Sequence, residues 1–323
     1  MASDTTTQTD DRPMPASHAR GGSLWSDARR RLLRDKAVLV CLAVISVYVL
    51  IGLGCGIYEV VAEYNKAVPS FKDTADYTRT NQPPSAESWK YWLGTDWGGK
   101  SVLLKTLLGV KVSLAVGFMT NLIAVPLGIM LGAIAGFYRG RADAVIVWMY
   151  STLASIPGFI LLISLKYAFK GKTLLGIDLG GIHGIYVALG VTSWIGTCRL
   201  VRAEVMKIRE LDYVLAARAV GTRRFMILIR HIVPNVLHLG IINFSLGFVS
   251  AIKAEVILSY LGLGVKVGTP SWGSMINAAR MDLFIGRWWE LTAAVTAMFF
   301  LVLALNIFGD RLRDALDPKL KNV

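Results

Sequence analysis

The sequence predicts an all-α, polytopic helical membrane protein with six transmembrane helices. Two observations carry this. Of the 323 residues, 54% are hydrophobic, and the mean hydropathy is +0.51. The apolar residues also fall into six long runs separated by short basic segments, the pattern of repeated bilayer crossings.

The runs are 37–58, 112–138, 144–168, 184–203, 232–258 and 291–309. Each is long enough to cross a hydrocarbon core of ~30 Å at about 1.5 Å per residue. Pro126 and Pro157 lie inside the second and third runs and read as kinks. Pro234 opens the fifth, where a missing N–H costs little. The chain divides into a partly disordered cytoplasmic tail (1–36), a first span (37–58), an extracytoplasmic segment (59–111), a core (112–309) and a second cytoplasmic tail (310–323).

Lysine and arginine set the orientation. With the N-terminus in the cytoplasm, the segments 1–36, 139–143, 199–230 and 310–323 lie on that side. They carry seven, two, eight and four of the 35 lysines and arginines. Both termini are therefore expected inside. The net charge of +13 is then a topology signal beside the bilayer, and no nucleic-acid partner is expected. Cys41, Cys55 and Cys198 form no C-x-x-C pair, and the four histidines have no ligand spacing. No metal site, disulfide framework or catalytic set is predicted.

GTDWGGKS, residues 94–101, matches the phosphate-loop pattern G-x-x-x-x-G-K-[ST]. A phosphate loop needs a buried strand before it, but the preceding residues read SAESWKYWL. The orientation also puts this stretch outside the cytoplasm, where there is no ATP. The match reads as accidental.

The most informative segment is RAEVMKIRELDYVLAARAVGTRRFMILIRHIVPN, residues 202–235. Glu204–Arg209 reads as one short helix. Asp212 is a candidate N-cap for a second over 213–220, with Gly221 as its stop and Thr222 as cap of a third. Ala216, Ala217 and Val220 give the middle helix a small, smooth side. Arg218, Arg223 and Arg224 flank it, suited to carboxylates on a partner. The segment reads as a docking element that passes a partner's motion to the spans.

The spacing Leu215-Ala216-Ala217-x3-Gly221, ending at Pro234, resembles the E-A-A-x3-G-x9-I-x-L-P loop of bacterial ABC importer permeases. Leu215, His231 and Val233 stand where the pattern has Glu, Ile and Leu. LDYVLAARAVG and RHIVPN are similar to the dipeptide/oligopeptide (and nickel) branch. LGTDWGGKSVLLKTLLGVKVSL resembles that branch's element before the second span. There Lys100-Ser101 replace Arg-Asp, Lys105 and Lys111 replace arginines, and a carboxylate is missing at Ser101. EVILSYLGLG, TPSWGSMI and NIFGDRLRDALDP resemble its last three signatures, and the N-terminal tail and first span look like the C-type subunit.

The resemblance implies a non-catalytic permease subunit of an ATP-driven importer in the bacterial inner membrane, taking di- or oligopeptides. A nickel or other small-solute permease is the alternative, and a stand-alone secondary transporter a more distant one. It implies a second permease subunit, two cytoplasmic ATPase subunits that bind the ATP and magnesium, and an extracytoplasmic substrate-binding protein. No cofactor is expected in this chain. Asp212, Ala216, Ala217, Arg218, Gly221, Arg223 and Pro234 are the expected ATPase-docking residues.

Ionisable and polar groups on the spans are candidates for the path or its gate. Lys253 and Glu255 read either as a gate or binding-protein contact or as a snorkelled interfacial pair. Asn121 and Asn243 read either as path groups or as interhelical hydrogen-bonding groups. Trp272, Trp288 and Trp289 read as interface-belt aromatics. The tail 309–320 reads as an amphipathic turn with Asp310 as cap, Pro318 as stop and Leu312, Ala315 and Leu316 on one side. Residues 28–36 read as a basic membrane-surface helix.

Overall fold

A computed structural model describes residues 30–65, 69, 71–174, 176–266 and 268–316. Residues 1–29 of the tail expected to be partly disordered, and the expected stop at Pro318, lie outside the described residues. The helices are α1 (Lys36–Tyr64), α2 (Val102–Tyr138), α3 (Gly140–Ser155), α4 (Gly158–Phe169), α5 (Ile182–Ile208), α6 (Asp212–Ala219), α7 (Arg224–Ile227), α8 (Val233–Tyr260), α9 (Trp272–Asp282) and α10 (Trp289–Leu316). A two-stranded antiparallel ribbon, β1 (Thr173–Leu174) and β2 (Ile177–Asp178), joins α4 to α5.

Five described helical segments are long and apolar enough to cross a membrane: 36–64, 102–138, 182–208, 224–260 and 289–316. The third apolar run differs from the expected kinked span. It is two helices, α3 and α4, set at 93°. The cause is local. Pro157 pushes the residue before it out of the helical region, and Ile156 takes φ −89° and ψ 130°. The ladder therefore breaks where a milder kink was expected.

The fifth run begins before Pro234. Residues 224–260 form one span with a π-helical turn at Leu228–Ile232. The Val233 N–H bonds the Leu228 carbonyl, five residues back. Widening one turn lets the helix pass a proline that cannot donate. The expected separate helix at Glu204–Arg209 is the end of α5, and the expected C-terminal turn is the end of α10, with Asp310 inside it. Leu312, Ala315 and Leu316 do share a side and pack on Ile242 of α8. Beyond the first span's expected end, α1 continues to Tyr64.

The core is built on α2 and α5. Gly128, Gly132 and Gly136 recur every fourth residue on α2 and lie against the α5 backbone. An added β-carbon would come within 2.9 Å of the Trp194 carbonyl oxygen, 2.6 Å of that of Cys198 and 2.7 Å of that of Arg202, respectively. In lipid, where apolar surface gains little from leaving the solvent, close contact of this kind is what holds helices together. The connectivity gives the bundle two ends. One carries α6, and the other carries α9 and the 71–101 segment.

Candidate functional site

At the α6 end, Arg209, the C-cap of α5, donates from Nη1 to the Phe137 carbonyl at 2.8 Å, which ties the end of α5 to the end of α2. Glu210 accepts from Arg209 Nε at 2.8 Å and lies 3.8 Å from Arg139. Arg209 beside it holds the Glu210 carboxyl below its ordinary value.

Helix α6 is anchored through its inner side. Val214 is fully buried in a cluster with Val201, Val205, Ile227 and Ile232. The helix ends in a Schellman arrangement. Thr222 N–H bonds the Ala217 carbonyl at 3.2 Å, and Gly221 N–H bonds that of Arg218 at 3.0 Å. Gly221 has φ +83°, the left-handed conformation this stop requires. An added β-carbon there would meet nothing within 4 Å, so any steric role of Gly221 beyond the turn concerns a partner.

The expected docking residues are brought together on this short stretch. Asp212, Ala216, Arg218, Gly221, Arg223 and Pro234 are exposed. Two details differ. Leu211 holds the N-cap position of α6 with no side-chain bond, so Asp212 opens the first turn as a helical residue. Its carboxylate suits the positive end of the helix dipole there. Thr222 does not cap α7; Arg223 holds that position, also without a side-chain bond. Ala217 is half-buried against the chain's own core, so the open small-residue side is Ala216 and Ala219.

Arg218, Arg223 and Arg224 make no salt bridge among the described residues. Around them lie exposed Leu211, Leu215, Phe225 and Met226, and Val220 at the tip is 86% exposed. Composition hid these apolar residues, because only the fold shows that they face outward. Tyr213 and Asn235 stitch α6 to α8 through a 2.9 Å bond.

At the other end, the phosphate-loop look-alike is a closed turn. Asp96 Oδ1 accepts from Gly98 N–H at 2.9 Å and Lys100 N–H at 2.8 Å, and the Asp96 carbonyl accepts from Gly99 N–H at 3.0 Å. The donors a phosphate would need are already taken. Ser101, where the resemblance lacks a carboxylate, caps α2 by accepting from Leu104 N–H at 3.3 Å. The ion pairing runs through Lys105. Its Nζ bonds Asp96 Oδ2 at 2.8 Å and also Glu290 Oε1 at the start of α10, all three groups being buried. Lys111 pairs with Glu59 of α1.

Two of the three supposed belt tryptophans are packing groups. Trp272 is fully buried and donates to the Thr106 carbonyl at 3.0 Å, over Gly109. Trp289 donates to the Thr95 carbonyl at 3.0 Å, and only Trp288 is exposed.

The path candidates separate. Glu255 is fully buried and accepts from Ser259 at 2.7 Å, so it is no interfacial snorkelling group. Two residues on a helix point about 200° apart, and Glu255 falls on the packed side of α8. Lys253 is exposed. Asn121 is buried, donates to Gly117 at 2.8 Å and packs against Gly247 of α8, which makes it an interhelical packing group. Asn243 is half-buried and lines a cavity of ≈ 370 Å³ with Glu204, Lys207 and Arg313. No group of His, Cys, Asp or Glu suited to a metal ion occurs among the described residues.

A family model described as "Binding-protein-dependent transport system inner membrane component" matches residues 128–322. A second, "N-terminal TM domain of oligopeptide transport permease C", matches residues 23–84. The dipeptide transport system permease protein DppC of Bacillus subtilis (strain 168) is 35% identical over 302 residues, 93% of this chain and 87% of that protein. The oligopeptide transport system permease protein OppC of Escherichia coli (strain K12) is 33% identical over 93% of this chain and 92% of its own length. The glutathione transport system permease protein GsiD of Pectobacterium atrosepticum is 36% identical over 76% of this chain and 78% of its own length. An inward-facing structure of the MetNI methionine ABC transporter shares the fold, with a TM-score of 0.53 and 18% identity, over 67% of this chain and 97% of that one.

Proposed function

The chain belongs to the binding-protein-dependent inner-membrane transport components, the permeases of ABC importers, and we propose that it forms half of an ATP-driven import path for peptides. The relatives are named for dipeptides, oligopeptides and glutathione, all of them peptides. That shared chemistry favours peptide cargo over nickel or another small solute.

The observation that carries the mechanism is the exposed α6 stop. A short helix rests on the core through Val214 and presents Val220, Gly221 and exposed arginines outward. In the proposed assembly the α6 end and both chain termini are cytoplasmic. Two ATPase subunits bind ATP and magnesium and each seats one such helix, from this chain or from a second permease subunit. A substrate-binding protein docks at the α9 end. The permease performs no covalent step. It has inward-open and outward-open arrangements, and ATP-driven closure of the ATPase pair shifts the population between them. Because α6 is pinned to α5, α7 and α8 through one buried cluster, a push on it is passed to the spans as a rigid displacement.

The test is uptake of a labelled dipeptide into proteoliposomes holding the purified complex and its binding protein. ATP-dependent accumulation of the peptide supports the reading. Accumulation of nickel without peptide overturns the cargo assignment.

A further inference from the structure

Helix α8 has two open faces of different chemistry. One bears the exposed Leu237 and Ile241 and is apolar, with the half-buried Phe244 packed against Phe118 at its edge. The other, spaced alternately by three and four residues, bears Asn243, Leu246, Ser250, Lys253, Ile257 and Tyr260. Steps of three and four keep side chains on one face of a helix. All but the half-buried Asn243 are exposed.

Lipid tolerates the first face. The second places a charge and an under-satisfied amide on the surface of a span. Asn243 donates to the Leu239 carbonyl at 2.8 Å, and its Oδ1 has no partner among the described residues. Lys253 has no ion-pair partner among the described residues. A polar group that has no partner in hydrocarbon costs several kcal/mol, so this stripe belongs against water or a polar partner. Snorkelling accounts for Lys253 alone, since it lies seven residues, about 10 Å, before the end of α8. It does not account for Asn243, ten residues deeper on the same stripe.

We infer that this stripe of α8 lines the translocation path and that the Lys253 ammonium meets the carboxylate of a peptide as it passes. The inference rests on the peptide-import reading for its cargo, though not for the position of the stripe. A free peptide carries a C-terminal carboxylate whatever its side chains, so one lysine on the path serves cargoes of varied sequence. As a flexible point charge, lysine holds such a group without the bidentate grip of arginine, which suits a contact that must release.

Two measurements on the assembled transporter test this. In a background without native cysteines, Asn243→Cys, Ser250→Cys and Lys253→Cys are treated with a membrane-impermeant maleimide, with Ile241→Cys as control. Labelling of all three stripe positions and not of residue 241 is expected. Labelling of residue 253 alone, or of none of the stripe, overturns the path assignment even if peptide uptake is intact. Maximal uptake of a dipeptide at saturating binding protein is then compared for Lys253→Arg, Lys253→Met and Lys253→Glu. Arginine is expected to retain most of the rate, methionine to lower it about tenfold, and glutamate to lower it further. Equal rates in all variants overturn the carboxylate contact. A wild-type complex whose stripe labels as expected but which moves no peptide overturns the cargo half and leaves the path half standing.

Discussion

A β-carbon on Gly132 would lie 2.6 Å from the carbonyl oxygen of Cys198. The obstacle is backbone, which cannot rotate away as a side chain can. The α2–α5 seam therefore depends on glycine at this point. Gly132→Leu is expected to pry the helices apart and destabilise the protein by more than the ~1–3 kcal/mol typical of overpacking a core. Gly54→Leu serves as control, since an added β-carbon there meets nothing within 4 Å. Thermal unfolding in detergent should show a fall of several degrees for the first variant and little change for the second.

The buried trio Asp96, Lys105 and Glu290 ties the loop before α2 to the start of α10, 185 residues from Lys105 in sequence. Lys105→Met leaves two carboxylates buried without their cation. Breaking a buried pair from one side costs about 3–5 kcal/mol. Replacing all three, as Asp96→Asn, Lys105→Met and Glu290→Gln, is expected to recover much of that loss. A melting series over the single and triple variants checks this, and an undiminished melting temperature for Lys105→Met contradicts it.

Lys100 separates a phosphate loop from a turn that resembles one. Its Nζ lies 4.9 Å from the centre of the Phe71 ring, a contact worth about 0.5–1 kcal/mol at such a site. Lys100→Ala should leave ATP-driven uptake within about fivefold of wild type on that scale, where a phosphate-binding lysine would be indispensable. Gly99→Ala should damage the fold instead, because Gly99 has φ +71° and its β-carbon would lie 2.0 Å from the Asp76 carbonyl oxygen. Uptake assays and melting curves on the two variants check both statements.

Much of the architecture was legible because bilayer physics writes itself into composition. The order of the apolar elements followed from the apolar runs, though several helices run past the expected ends, and the Gly221 stop followed from a residue with one conformational specialty. What escaped depended on neighbours distant in sequence. Nothing local distinguishes Trp272, buried over Gly109, from Trp288, which is exposed. Glu255 and Lys253 are two residues apart, and only the packing of α8 decides which of them is buried. The seam of Gly128, Gly132 and Gly136 was in plain view as a four-residue spacing, but a partner helix was needed to give it meaning. Pro157 signalled a bend, and the extended conformation it imposes on Ile156 made that bend a right-angled break.

The account stands or falls on α6 as the coupling element. The direct measurement is peptide-stimulated ATP hydrolysis, together with uptake, by the reconstituted complex carrying Ala216→Arg or Gly221→Trp. Both positions are exposed and the space beside Gly221 is open within this chain, so the chain should still insert; Gly221→Ala, which carries the same left-handed strain at φ +83° without the bulk, is the control. The account predicts that stimulation and uptake are lost in both. Wild-type stimulation and uptake in both variants would contradict it.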